Sequence, residues 1–105
     1  MDYDKYVIAQ RRGSINVVVL SFLKTPKYGY ELIKILEDCG YVIDQSTLYP
    51  LLRRLENEKI LISEWRESNN RSQKYYVLTK EGKELWVFLC DEWVRTNKII
   101  EGLIK

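Results

Sequence analysis

The thirty-four residues Ser46–Thr79, STLYPLLRRLENEKILISEWRESNNRSQKYYVLT, constrain the fold of this chain most. Leu48, Leu51, Leu52 and Leu55 recur at i, i+3, i+4 and i+7, the one-sided stripe of an amphipathic helix packed on a core. Ser46 reads as its N-cap, and the helix is expected to end near Lys59. Pro50 removes the amide that would bond the Ser46 carbonyl, so an irregular first turn is expected. Ile60–Arg66 and Lys74–Leu78 then read as strands, with Leu61, Ser63 and Trp65 alternating against Ile60, Ile62 and Glu64. Glu67–Gln73 between them is polar and turn-forming through Ser68, Asn69 and Asn70.

Before this stretch, residues 5–24 read as a first helix, with Val7, Ile8, Ile15, Val18, Val19, Phe22 and Leu23 near helical spacing. A buried strand competes over Ile15–Leu23, which is β-branched and nearly all apolar; the length of the pattern favours helix. Gly13 weakens that helix by about 1 kcal/mol relative to Ala and would permit close approach of another backbone. After the break at Thr25-Pro26-Lys27, residues 28–38 form a second helix on Leu32, Ile35 and Leu36, stopped by Gly40. Thr79 caps a last helix over 80–104. There Trp86, Trp93 and Ile100 lie seven apart, with Leu89, Cys90, Leu103 and Ile104 alongside, a seam of heptad type suited to pairing with a second copy.

At 105 residues the chain reads as a single domain over 1–105. Histidine is absent, and the two cysteines, Cys39 and Cys90, have no metal-binding spacing, so no catalytic site, cofactor or metal centre is expected. No apolar run approaches the roughly 20 residues that span a membrane, and the acidic start with Asp2 and Asp4 lacks the basic leader of a signal peptide. A cytoplasmic protein is therefore expected. Net charge is only +2, but residues 45–83 carry eight Lys/Arg against five Asp/Glu, whereas residues 84–105 carry three against four. The basic excess lies in the stretch that carries the leucine stripe and the strands.

The order helix, helix, helix, hairpin, helix fits a mainly α fold with a small β-hairpin (α+β): a winged helix-turn-helix over about 5–79, followed by a dimerisation helix over about 80–104. The third helix would then enter a DNA groove. Its leucines face the core, which leaves Thr47, Tyr49 and Arg53 pointing outward, with free first-turn amides and the hydroxyl of Ser46 available to phosphate. Arg53 would lie on the backbone or reach a guanine edge. The hairpin tip, with Arg71 and Lys74, suits a phosphate or minor-groove contact. Bland readings stand beside these: Arg53 and Arg54 as a solvated helix face, and the tip as an ordinary polar turn. Trp65, Tyr75 and Tyr76 read either as a base-stacking platform or, better, as strand aromatics with at least one face in the core. A winged helix used only for protein interaction, without an operator or a ligand, is the competing functional class.

The blocks RRGSINVVVLSFL at 11–23, YGYELIKILE at 28–37, STLYPLLRRLE at 46–56 and KYYVLTKEG at 74–82 carry a more specific message. The chain resembles PadR-type transcriptional regulators over about 11–82, and its one C-terminal helix resembles the compact subfamily. The resemblance implies a homodimeric winged helix-turn-helix repressor that binds double-stranded DNA at a palindromic operator. It implies DNA-contacting roles for Tyr49 and Arg53 on the recognition helix, Lys74 on the wing, and Tyr28 and Tyr30 at the start of the second helix. It also implies release by a small aromatic or lipophilic effector, stacked on Trp93 in a pore at the dimer centre with Asn16, Val17 and Leu89 nearby. Trp86, Leu89, Trp93, Ile100 and Leu103 would form the dimer seam.

Overall fold

The computed structural model describes residues 1–105, with Ser68 described through its backbone only. Its elements are α1 (Tyr3–Arg12), α2 (Ile15–Ser21), β1 (Lys27–Tyr28), α3 (Gly29–Asp38), α4 (Gln45–Asn57), β2 (Leu61–Ser68), β3 (Arg71–Leu78) and α5 (Lys80–Ile104). The leucine stripe behaves as its spacing requires: Leu48, Leu51, Leu52 and Leu55 are all buried. Around them gather Val19, Leu20 and Leu23 from α2 and its end, Leu32 and Leu36 from α3, Ile43, and Leu61, Tyr76 and Leu78 from the sheet. Each such leucine contributes about 1.5–3 kcal/mol of burial, so α4 is the hub on which α2, α3 and the hairpin condense.

Several expectations are corrected. The first helix is two: α1 closes at Gly13, and Ser14 Oγ and Tyr41 Oη both donate to the Arg11 carbonyl at its end, each at 3.0 Å. Gly13 has an ordinary helical φ of −71°, and among the described residues an added Cβ would meet only the Gln10 carbonyl at 3.5 Å, so no other segment of this chain packs on it. The cap of α4 is Asp44, not Ser46; its carboxylate accepts the Thr47 amide at 2.9 Å. Ile43 and Leu48, at the two positions of a hydrophobic staple, both join the core and place the helix start two residues earlier. Pro50 lies inside α4, away from its first turn. The hairpin strands run on past the expected loop 67–73. Asn69 and Asn70 both take left-handed φ, 51° and 64°, as a two-residue hairpin turn needs, so Ile62 to Glu67 pair in register with Val77 to Ser72. The side chain of Ser68, assigned to that turn from sequence, lies outside the described residues.

The sheet order is β1-β3-β2, all antiparallel, with Lys27 opposite Tyr76 and Tyr28 opposite Tyr75. α3 ends with Gly40 at φ +87°, its amide on the Glu37 carbonyl and the Tyr41 amide on the Leu36 carbonyl, both at 2.9 Å. α4 ends the same way with Lys59 in the left-handed position at φ 64°, a conformation that costs a non-glycine residue about 1 kcal/mol.

The start of α5 is locked to that same corner. The Thr79 hydroxyl donates to the Lys59 carbonyl at 2.7 Å and accepts the Gly82 amide at 3.0 Å, while the Thr79 amide reaches the Ile60 carbonyl at 3.1 Å. Gly82 is buried so tightly there that a Cβ would overlap the Ile60 carbonyl. The first half of α5 packs on α2: Trp86 Nε1 donates to Ser21 Oγ at 2.9 Å, and Leu85, Trp86 and Leu89 lie against the core. The second half leaves the body. Trp93, Val94, Ile100, Leu103 and Ile104 are exposed, and α1 buries no residue at all.

Two outcomes follow. Gly82→Ala should lower stability by about 1–3 kcal/mol through overpacking, whereas Gly102→Ala, whose Cβ meets nothing within 4 Å, should be neutral or stabilising by about 0.5–1 kcal/mol; urea unfolding compares the two. The Ser46 hydroxyl, first, and the Thr47 contacts hold the Asp44 carboxyl below its ordinary 3.8. Its folded value is depressed, so the cap's contribution is complete above the ordinary value and fades as pH falls through the folded one. Denaturation of Asp44→Asn, which keeps a capping oxygen, should lack that acid-dependent part when measured against wild type from pH 6 to about pH 2.

Candidate nucleic-acid interface

With its leucines committed inward, α4 has three remaining faces. Ser46, Pro50, Arg53 and Asn57 lie opposite the core and are exposed. On one flank Tyr49 is half-buried, its ring lying over Gly29 so closely that a side chain there would overlap it. On the other flank Thr47, Pro50 and Arg54 face Arg12, Ile15 and Asn16 across an open crevice.

The first turn of α4 does not offer a vacant anion site. The Asp44 carboxylate already takes the Thr47 amide and also accepts the Ser46 hydroxyl at 2.8 Å. A negative charge thus occupies the place where free amides were expected to meet a phosphate. Contact from this end falls to side chains, and Arg53 leads them: it is exposed and, among the described residues, forms no ion pair.

The hairpin supplies the second surface. Its long polar ribbon carries Arg71 to the tip, exposed. Tyr28, Asn69, Arg71, Gln73 and Tyr75 line one crevice, which brings the start of α3 and the wing together. Tyr28 and Tyr75 meet edge to face with ring centres 5.3 Å apart, and Arg66 stacks over Tyr75 at 4.9 Å. Tyr30 is half exposed on α3, with Lys34 Nζ 5.4 Å from its ring centre. Trp65 is exposed and Tyr76 buried on one face of the hairpin, while Tyr75 points to the other. The three aromatics therefore form no joint stacking platform.

Lys74 is not a free cation. Its Nζ lies 3.0 Å from Glu56 Oε1, and Glu56 also accepts the Ser63 hydroxyl. The Ser63 bond first and Lys74 second hold the Glu56 carboxyl below its ordinary 4.5, and Glu56 raises Lys74 above 10.5. No spacing rule pairs residues 56, 63 and 74, which meet only through the hairpin register. The Asp44 cap did have a legible signal, an Asp three residues before Thr47 and just after the staple residue Ile43.

The residues assigned to an effector are not gathered by one chain. Trp93 lines a groove between α1 and α5 of about 500 Å³ with Val7, Gln10, Arg11 and Ile100. Asn16 opens to the α4 crevice, its Oδ1 buried without a hydrogen-bond partner among the described residues. Val17 is half-buried, and Leu89 packs on the core. Of the proposed seam, Trp86 and Leu89 belong to the chain's own packing, while Trp93, Ile100 and Leu103 are exposed. Among the described residues no helix is long and apolar enough to cross a membrane.

Known proteins share this architecture and part of its sequence. A model of the PadR-like transcriptional regulator family matches residues 19–86. The crystal structure of a PadR family transcriptional regulator from Eggerthella lenta superposes with a TM-score of 0.92 at 38% identity, covering 98% of this chain and 92% of that one. A PadR family regulator from Clostridium difficile gives 0.80 at 28% identity, over 88% and 99% of the two chains. A transcriptional regulator of Mycobacterium tuberculosis is 38% identical over 56 residues, 53% of this chain and 52% of its own length. These likenesses are to regulators, not enzymes, and they join a winged helix whose recognition helix and wing are both intact: the chain belongs to the PadR-like family of transcriptional regulators.

Proposed function

We propose that this protein binds double-stranded DNA as a homodimer and represses transcription from a palindromic operator in the cytoplasm. The observation that carries the reading is the exposed face of α4 with Ser46, Pro50 and Arg53, the last in no ion pair among the described residues, beside a hairpin that carries an exposed Arg71 at its tip. α4 enters the major groove with Arg53 on a guanine edge or a phosphate and Thr47 on the backbone, while Ser46, whose hydroxyl proton goes to Asp44, is left only to accept a hydrogen bond there. Arg71 meets phosphate or the minor groove, and Tyr28 and Tyr30 add hydroxyls from the start of α3. Tyr49 serves mainly by packing on Gly29, which sets the angle between α3 and α4.

One copy reads half of a two-fold site, so a second must be held at a fixed spacing. The unburied α1 and the apolar end of α5, with Trp93, Ile100 and Leu103, are the surface for this; Trp86 and Leu89 brace it from within. A small aromatic or lipophilic effector would stack on Trp93 at the dimer centre, near Asn16, Val17 and Leu89. It would release DNA by favouring a spacing of the two α4 helices that no longer fits successive grooves. A protein-interaction module without operator binding is the alternative class.

Duplex DNA from upstream of the protein's own gene is the direct probe. Affinity should fall steeply between about 50 and 200 mM salt, as neutralisation of several phosphates requires. Arg53→Ala should cost about 1–3 kcal/mol of binding with the fold intact. Weak, salt-insensitive binding by the wild type would favour the interaction module. Trp93→Ala should shift the dimer toward monomer in light scattering, or abolish quenching by flat aromatic compounds, or both; no change in either removes Trp93 from the interface and from the ligand site.

A further inference from the structure

The Glu56 carboxylate stands at a point where three elements meet. It lies in the last turns of α4, its Oε1 is 3.0 Å from Lys74 Nζ on β3, and it accepts the Ser63 hydroxyl from β2. One carboxylate therefore ties both hairpin strands to the recognition helix. The other ion pairs among the described residues, Glu64 with Arg66 and Glu92 with Arg95, link neighbours within one element. The tie is also better shielded, its partners being 31% and 29% exposed, and charge-assisted bonds are stronger there than on open surface. Lys74 Nζ also lies 5.3 Å from the centre of the Tyr76 ring, a buried side chain that anchors β3.

We propose that Glu56 is a positioning residue for DNA binding, fixing the angle of the wing to α4, and that Lys74 acts through Glu56 and not on a phosphate. The proposal rests on the reading of α4 and the hairpin as the DNA-contacting surface. A duplex presents groove and backbone at a set distance, so helix and wing must arrive together. A wing that swings freely must be ordered at the moment of binding, which weakens affinity without changing the number of phosphates contacted.

Charge and position give opposite signs here, which makes the proposal sharp. Removing a carboxylate beside a DNA-binding face should tighten binding by electrostatics alone. Loss of a positioning tie should weaken it. Glu56→Gln, Lys74→Met and the double variant are titrated with the upstream duplex over a salt series. Each single change should weaken binding by about tenfold with the salt slope unchanged, and the double variant should be no worse than the poorer single one. Tighter or unaltered binding by Glu56→Gln overturns the proposal. So does a salt slope reduced by about one phosphate in Lys74→Met, which would make Lys74 a direct contact.

Hydrogen exchange on the free protein reads the tie without DNA. Glu56→Gln should speed exchange at the hairpin amides beyond Ser63 and Lys74 and leave those of Leu51–Leu55 unchanged. Equal exchange overturns the tie itself. If wild type binds no duplex, the positioning role falls together with the DNA reading, and faster exchange alone then marks Glu56 as a structural tie. Should Glu56→Gln fail to fold, Lys74→Met and Ser63→Ala cut the same contacts from the hairpin side.

Discussion

Burial of the four α4 leucines is the constraint from which the rest of this molecule follows. Leu48, Leu51, Leu52 and Leu55 are the meeting point of α2, α3 and the hairpin, and their spacing leaves α4 no rotational freedom about its axis. Once they point inward, the outward angles are assigned. Arg53 faces solvent, Tyr49 closes on Gly29, and Thr47 and Arg54 look toward α2. The outward face of α4, proposed to meet a DNA groove, is thereby held rigidly by packing on the opposite side of the helix.

The second element of order is the corner after α4. Lys59 in its left-handed turn, the Ile60 carbonyl, the Thr79 hydroxyl and the buried Gly82 bring together the end of the recognition helix, the base of the wing and the start of α5. The half that carries α4 and the hairpin and the apolar arm of α5 thus share a stiff joint. A shift of the arms between two copies would be transmitted to the spacing of their α4 helices through packed backbone.

Periodicity made the helices legible, because burial enforces it: the α4 stripe, Leu32 and Leu36 of α3, and the Thr79 cap stand where their spacing puts them, whereas Ile33 packs on the core in the place expected of Ile35. Local rules failed where two residues compete for one role or where contact is made across the sheet. Asp44 and Ser46 are both capping types, and the choice was settled by Ile43 entering the core. The hairpin was read too short because its outer half is polar on both faces, so alternation carries no signal; the Asn69-Asn70 pair was the true marker. The pairing of Lys74 with Glu56 carries no local signal, because the two lie eighteen residues apart along the chain. Trp86 and Leu89 share a heptad with Trp93, yet α2 claims them, and only the part of the seam beyond the body of the protein is left for a partner.

On the proposed reading, the outward face of α4 and the hairpin tip contact DNA, while α1 and the end of α5 face a second copy. Titration of isotope-labelled protein with the upstream duplex, followed by backbone amide resonances, tests it most directly. Shifts are expected at Ser46–Arg53 and Asn69–Gln73, with little change at Tyr3–Gln10 and Ile99–Ile104. Shifts confined to α1 and the end of α5, or none at α4 at saturating duplex, would contradict it.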